Sequence, residues 1–372
     1  MMDFSALSAP TGHTVDAADA ASRRLAQMVM RRAEIRLAEG GDDRPMGRDA
    51  PDRRPAPDDV PLPSWRTEVS ALLYMLRNGA DVPASRIRGQ AAVADLLLQP
   101  RVQDAEFDEP VCGLFVCDRL LAQEIRGVRC DGERIVLHSS TGDELAVDVR
   151  PPAALALSSN DWYAWCAPET DHHAPSAYDE LRLRQAETAL AATGAYGRWV
   201  QAVVRHVTPL DGLADGQGTR SGSDPLRFGG IGVTLASDPA EVFDLLVHEA
   251  SHQYVHLVGW FGPLVHPNLG EFPSPLRGIP RPLDKILLAY HACGNILLSL
   301  EAAVEAGVVD PTAHRAKKTR YTGALREMDR WLAPEGRLTA LGDQLHAPLR
   351  RRLVEAGVHD ARSGAGVSLE DA

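Results

Sequence analysis

His248, Glu249 and His252 stand in the pattern H-E-x-x-H, inside the run Leu245-Leu246-Val247-His248-Glu249-Ala250-Ser251-His252. These residue types at this spacing suit a divalent metal. Imidazoles four residues apart lie one above the other on a helical face, so both reach one ion. The carboxylate of Glu249 projects beside them, where it could handle a metal-bound water.

Two histidines hold a catalytic metal poorly, so a third protein ligand is expected, with positions left open for water or substrate. The longer pattern H-E-x-x-H-x-x-G-x-x-H is absent, because Val255 and Val258 stand where it needs Gly and His. Glu271 is followed by Phe272-Pro273-Ser274-Pro275, and Glu301 sits near the far end of the next helix. His256 is on the same face as His252 but about 6 Å further along, which suits packing or support of a ligand. His291 is the favoured third ligand, in the middle of an apolar helix beside Gly294, where another backbone would approach closely.

These residues need helices to hold them. Asp238 is a good N-cap, Pro239 fits the first helical position and Glu241 completes a capping-box spacing. With Gly259 as a stop, the metal helix is expected over about 239 to 258. An irregular proline-rich stretch, Gly262 to Arg281, follows. Pro282 then opens a second long helix, Leu283 to Ala306, ended by Gly307. Upstream, Asp179 to Ala192 and Tyr196 to His206 read as helices, and Pro311 to Val354 as a terminal helical region. Ile231 to Leu235 reads as a strand after the glycine-rich loop Leu210 to Gly230. In metal-dependent hydrolases an edge strand in that position offers backbone groups to an extended peptide.

The N-terminal part is organised differently. Ala17 to Glu39 reads as a basic amphipathic helix packed on the body or a partner, and Gly40 to Pro63 as a flexible linker poor in apolar residues. Helices are expected at Trp65 to Asn78 and Ala91 to Gln99. Strands are expected at Val111 to Cys117, Arg134 to Leu137 and Glu144 to Val149, the last two joined by a turn at Ser139 to Gly142. The expected fold class is α+β, mainly helical, with the metal helix packed on a second long helix and a small mixed α/β N-terminal subdomain. The expected parts are 1–63, a helix and linker; 64–160, the small subdomain; and 161–372, the helical metal-binding domain.

The chain has 372 residues and a formal net charge of -12, which argues against general nucleic-acid binding, since phosphate neutralisation needs a basic surface. Cys112, Cys117, Cys130, Cys166 and Cys293 form no C-x-x-C pair and read as reduced thiols of a cytoplasmic protein. No membrane partner is expected, because no apolar run reads as long enough to span a bilayer and no hydrophobic signal core is present.

The stretch from about 180 to 305 resembles a family of H-E-x-x-H proteins linked to modification of ribosomally made peptides. The likeness rests on the run from Asp238-Pro239 to His252, which ends in an apolar-Val247-His248-Glu249-x-x-His252 helix, and on a P-W-R-x-x-P-R-P-like segment. That segment reads here as Pro275-Leu276-Arg277-Gly278-Ile279-Pro280-Arg281-Pro282, with Leu276 in place of the family's usual Trp. The resemblance implies an iron(II)- and 2-oxoglutarate-dependent peptide β-hydroxylase acting on a peptide or protein substrate. Arg277 and Arg281 lie between the two helices, where a guanidinium could clamp the distal carboxylate of 2-oxoglutarate. Glu249, which a hydroxylase does not need as a base, could then orient a ligand histidine or join the metal. Two other readings stand beside this one. One is a zinc hydrolase with Glu249 as general base; the other is a non-catalytic peptide-binding protein.

Overall fold

The computed structural model describes residues 2–39, 67–78, 82–98, 103–116, 118–130, 134–148, 155–158, 161–166, 171–212, 219–235 and 238–359. The fold is mixed α+β and mainly helical. The chain divides into two compact units, one of Ser22–Ala177 with Val204–Thr234, the other of Met1–Ala21, Tyr178–Val203 and Leu235–Ala372. Each unit is assembled from separate stretches of the chain. Strand pairing is the reason: Ala156 and Leu157 pair in parallel with His206 and Val207, which draws 204–234 to the first unit. The expected linker Gly40 to Pro63 lies outside the described residues.

The first unit takes most of α1 (Thr14–Glu39), then α2 (Thr67–Asn78) and α3 (Ala84–Leu98). Six strands follow: β1 (Gln103–Val111), the hairpin β2 (Leu114–Val116) and β3 (Arg119–Leu121), β4 (Ile125–Cys130), β5 (Arg134–Ser139) and β6 (Glu144–Asp148). β1, β4, β5 and β6 form an antiparallel sheet in that order. Val128, Cys130, Ile135 and Leu137 bury one of its faces in a cluster with Val93 and Leu96 of α3. The apolar run Ile135-Val136-Leu137 made β5 readable, and Gly142 (φ 92) closes the β5–β6 turn as a left-handed residue. The expected single strand from Val111 is instead broken at Gly113 (φ 72), beyond which β2 begins.

A second sheet of this unit runs β7-β8-β10-β9, from β7 (Ala156–Leu157), β8 (His206–Pro209), β9 (Ser221–Ser223) and β10 (Gly230–Val233), with α4 (Asp161–Cys166) following β7 in the chain. β10 is parallel to β8 and antiparallel to β9, so the strand expected to offer a free edge has partners on both sides. His206, expected at a helix end, opens β8 instead. Under this sheet Arg227 and Asp118, both buried, pair at 3.2 Å, and Arg227 also donates to Thr208 and Ser158. A buried guanidinium is tolerable only with such partners.

The second unit is helical: α5 (Ala177–Ala192), α6 (Ala195–Val203), α7 (Pro239–Gly259), the hairpin β11 (Glu271–Pro273) and β12 (Pro280–Pro282), α8 (Leu283–Glu305), α9 (Pro311–Leu332) and α10 (Ala340–Glu355). α8 runs through the middle, touching α7, α9 and α10. It is long and apolar enough to cross a membrane by length and composition, contrary to the sequence reading, but 78% of that window is buried inside the protein, as in a core helix. Its end follows expectation: Gly307 takes φ 71, and its N–H and that of Val308 close on Val304 and Ala303 at 3.0 Å.

Gly294 admits a neighbour as expected, but the neighbour is a side chain. A Cβ there would come within 2.9 Å of Leu349 Cδ2 on α10. Gly294→Ala is therefore expected to overpack the α8–α10 contact by about 2 kcal/mol, offset by about 1 kcal/mol of helix propensity. A net loss of about 1 kcal/mol should appear as a lower urea midpoint at unchanged slope.

Candidate metal centre

α7 begins as its sequence dictates. Asp238 caps it, accepting from the Ala240 N–H at 2.8 Å, and Pro239 occupies the first turn. The helix runs through Gly259, one residue past the expected stop, and Trp260 forms the C-cap. Gly259 is helical, so it does not end α7 by a left-handed turn. Apolar residues Val242, Phe243, Leu246, Val247, Ala250 and Tyr254 are buried, which fixes the rotation of the helix. Tyr254 is locked further, its ring 4.5 Å from that of Trp199 and its hydroxyl donating to the Trp199 carbonyl at 2.8 Å.

With that rotation set, His248, Glu249 and His252 come together. Their ligand atoms all lie within 4.8 Å of one another, and no other group of three such residues closes so tightly among the described residues. The His248 and His252 rings are 4.3 Å apart at 61°. Glu249 reaches both, Oε1 at 3.8 Å from His248 Nε2 and Oε2 at 3.4 Å from His252 Nδ1. The carboxylate is 1% exposed, while His248 and His252 keep 33% and 18% of their side chains open.

Electrostatics prepare His248 to donate a lone pair. Burial, with the neighbouring His252 and the Arg277 guanidinium, pushes His248 down to about 4 against the pull of Glu249. A neutral imidazole is the form that binds a metal. Burial, His252 and Lys285 likewise push His256 down to about 3. The His256 ring lies 6.3 Å from that of His252, outside the ligand group, as its spacing implied.

The other sequence candidates are placed apart. His291 is fully buried on α8, 6.3 Å ring to ring from Trp199, and lies outside the group of ligand atoms. Burial, then His252, push it down to about 4, against hydrogen bonding with the backbone of Ser251, Ser8 and Leu7. Glu301 pairs with Lys318 of α9, and Glu271 is exposed on β11. The two arginines diverge. The stretch expected to be irregular is a hairpin in which Arg281 stands opposite Phe272, while Arg277 lies in the connecting turn closed by Gly278 (φ 67). Residues directly opposite in a sheet share a face. Arg281 thus shares the face of buried Phe272, whose ring meets Trp331 at 5.4 Å and lies under Arg337 at 4.8 Å. Arg277 is exposed, and its charge is the one felt at His248.

The ionisation pattern has a pH consequence for the metal-free protein. His248, His256 and His291 take up protons near 4, 3 and 4 when folded, against about 6.5 unfolded. The unfolded chain therefore binds more protons between these values, and stability is lost as pH falls below about 6.5. Asp244, raised to about 6 by burial despite its ion pair with Lys317, acts in the opposite sense. Three histidines outweigh one aspartate, so Tm should be lower at pH 5 than at pH 7.5. An equal or higher Tm at pH 5 would contradict these assignments.

The chain matches no known family model and no curated protein.

Proposed function

We propose that the protein is an iron(II)- and 2-oxoglutarate-dependent hydroxylase of a side chain in a peptide or protein, serving the maturation of ribosomally made peptides. The observation that carries this reading is one arrangement: two imidazoles and a carboxylate whose ligand atoms close within 4.8 Å, with Arg277 among the charges that act on His248. Two histidines and one carboxylate are the donor set of non-haem iron(II) oxygenases, which leaves positions open for a co-substrate and oxygen. Here α7 is the metal helix, laid along α8. Glu249 takes the place that the spacing had given to His291.

The residues present fit the metal. Burial holds His248 neutral, and Glu249 is a buried carboxylate within 3.8 Å of both imidazoles, a donor set that suits a divalent cation. Iron(II), when bound, supplies oxygen activation coupled to oxidative decarboxylation of 2-oxoglutarate. One atom of dioxygen enters the substrate C–H bond as a hydroxyl and the other enters succinate, with carbon dioxide released. Arg277 would pair with the distal carboxylate of the co-substrate. A zinc hydrolase would have no use for that cation, and β10 lacks the free edge such enzymes lend to a peptide.

Calorimetric titration of the anaerobic, iron(II)-loaded protein tests this. 2-Oxoglutarate should bind much more tightly than glutarate, which keeps both carboxylates but cannot chelate through a keto group. Equal affinities for the two would contradict the reading.

A further inference from the structure

The basic helix α1 has no part in the metal centre, and its two sides differ sharply. Its apolar stripe is turned into the protein: Leu25, Ala26, Val29, Ala33 and Leu37 are all buried. That burial fixes which side meets solvent. From Arg24 to Arg36 the exposed positions are Arg24, Gln27, Met28, Arg31, Arg32, Ile35 and Arg36, with no acidic residue among them. All of them belong to the first compact unit.

Helical spacing makes these residues one surface. Met28 and Ile35 are two turns apart, so they point within about 20° of each other and lie about 10 Å apart along the axis. Arg24 stands one turn before Met28. Arg31 and Arg32 stand between the two apolar residues, at the three- and four-residue offsets that neighbour both on a helix surface. Met28 is 39% exposed and Ile35 50%, so both are open to contact. Two apolar side chains set among four guanidiniums reverse, locally, the sign of a chain whose net charge is -12. The helix dipole accounts only for Arg36, which is in the last turn.

We propose that this face of α1 docks an acidic amphipathic segment of a polypeptide partner, whose apolar side chains cover Met28 and Ile35 while its carboxylates pair with Arg24, Arg31, Arg32 and Arg36. Charge complementarity selects the partner: a basic face attracts an anionic segment, whereas a second copy of this acidic chain is repelled as a whole. Arginine suits the task because its planar fork pairs bidentately with a carboxylate. A lipid surface fits less well. A helix lying in a bilayer interface sinks its whole apolar face into the lipid, and the apolar face of α1 is the one buried in the protein. The docking stands apart from the metal chemistry and weakens with salt, since its charged contacts are exposed.

The test uses the full chain with a fluorescein-labelled helical peptide carrying two leucines seven positions apart flanked by glutamates, and a copy with glutamine for every glutamate. Anisotropy at low salt should show the acidic peptide binding at least about tenfold more tightly than its copy, and Arg31→Glu with Arg32→Glu should abolish that preference. Met28→Ser with Ile35→Ser should weaken the acidic peptide at least about threefold, which a purely electrostatic attraction would not do. All four side chains are exposed, so circular dichroism and the thermal midpoint should match the parent in both variants. Absent binding, equal binding of the two peptides, or affinity unchanged in either variant would overturn the proposal. Binding of phosphatidylglycerol vesicles without binding of the acidic peptide would overturn it in favour of a membrane surface. Self-association in the ultracentrifuge that is lost with Arg31→Glu and Arg32→Glu would overturn it in favour of a second copy.

Discussion

Replacing His248 and His252 together by alanine is expected to abolish stoichiometric binding of a divalent metal and all turnover. Each imidazole supplies one donor, and Glu249 alone cannot hold the ion: a single carboxylate on a rigid helix leaves too few ligands for either iron(II) or zinc. The fold should survive. Both side chains are partly open, and neither makes a hydrogen bond that anchors α7, which is held by Val242, Phe243, Leu246, Val247 and Tyr254. Removing the His248 ring also removes a base that burial keeps from protonating, so the double variant should lose less stability on acidification than the parent. Metal content by mass spectrometry under native conditions, with far-ultraviolet circular dichroism as the folding control, reads both expectations. Full metal retention would refute the site.

Arg277→Ala is expected to raise the 2-oxoglutarate requirement sharply at unchanged metal affinity. A charge-assisted guanidinium–carboxylate pair contributes about 1.5 to 3 kcal/mol. Arg277 is exposed, so solvent screening places the effect toward the lower end, roughly 10- to 30-fold in apparent affinity. Arg277→Lys should recover only part of the loss, because an ammonium cannot pair bidentately. Arg281→Ala should leave 2-oxoglutarate binding nearly unchanged, since its side chain shares the Phe272 face of the hairpin. A large loss in Arg281→Ala with none in Arg277→Ala would reverse the assignment of the clamp.

The local features of the site were legible in the sequence because they depend on short-range chemistry. Asp238, Pro239 and the H-E-x-x-H spacing fix where α7 starts and which face carries the histidines. The same holds for Pro282 and Gly307 around α8. His291 shows where that reasoning stops. Its position along α8 was clear, but how α8 rolls and slides against α7 depends on many side chains packing at once, and no spacing rule fixes it. The Pro-rich stretch was read as irregular for a related reason. Prolines normally exclude a strand, yet β12 is Pro280-Arg281-Pro282, where Arg281 alone retains an N–H for the ladder. Splitting Arg277 from Arg281 required knowing that hairpin. The pairing of β7 with β8 was not legible in the sequence, because it joins residues about fifty apart.

The central claim is tested most directly by supplying the anaerobically iron(II)-loaded protein with 2-oxoglutarate and isotopically labelled dioxygen, and analysing the succinate by mass spectrometry. The account predicts one labelled oxygen atom in each succinate formed and dependence on His248 and His252. Peptide hydrolysis by the zinc-loaded protein, with no succinate formed under any metal, would contradict it.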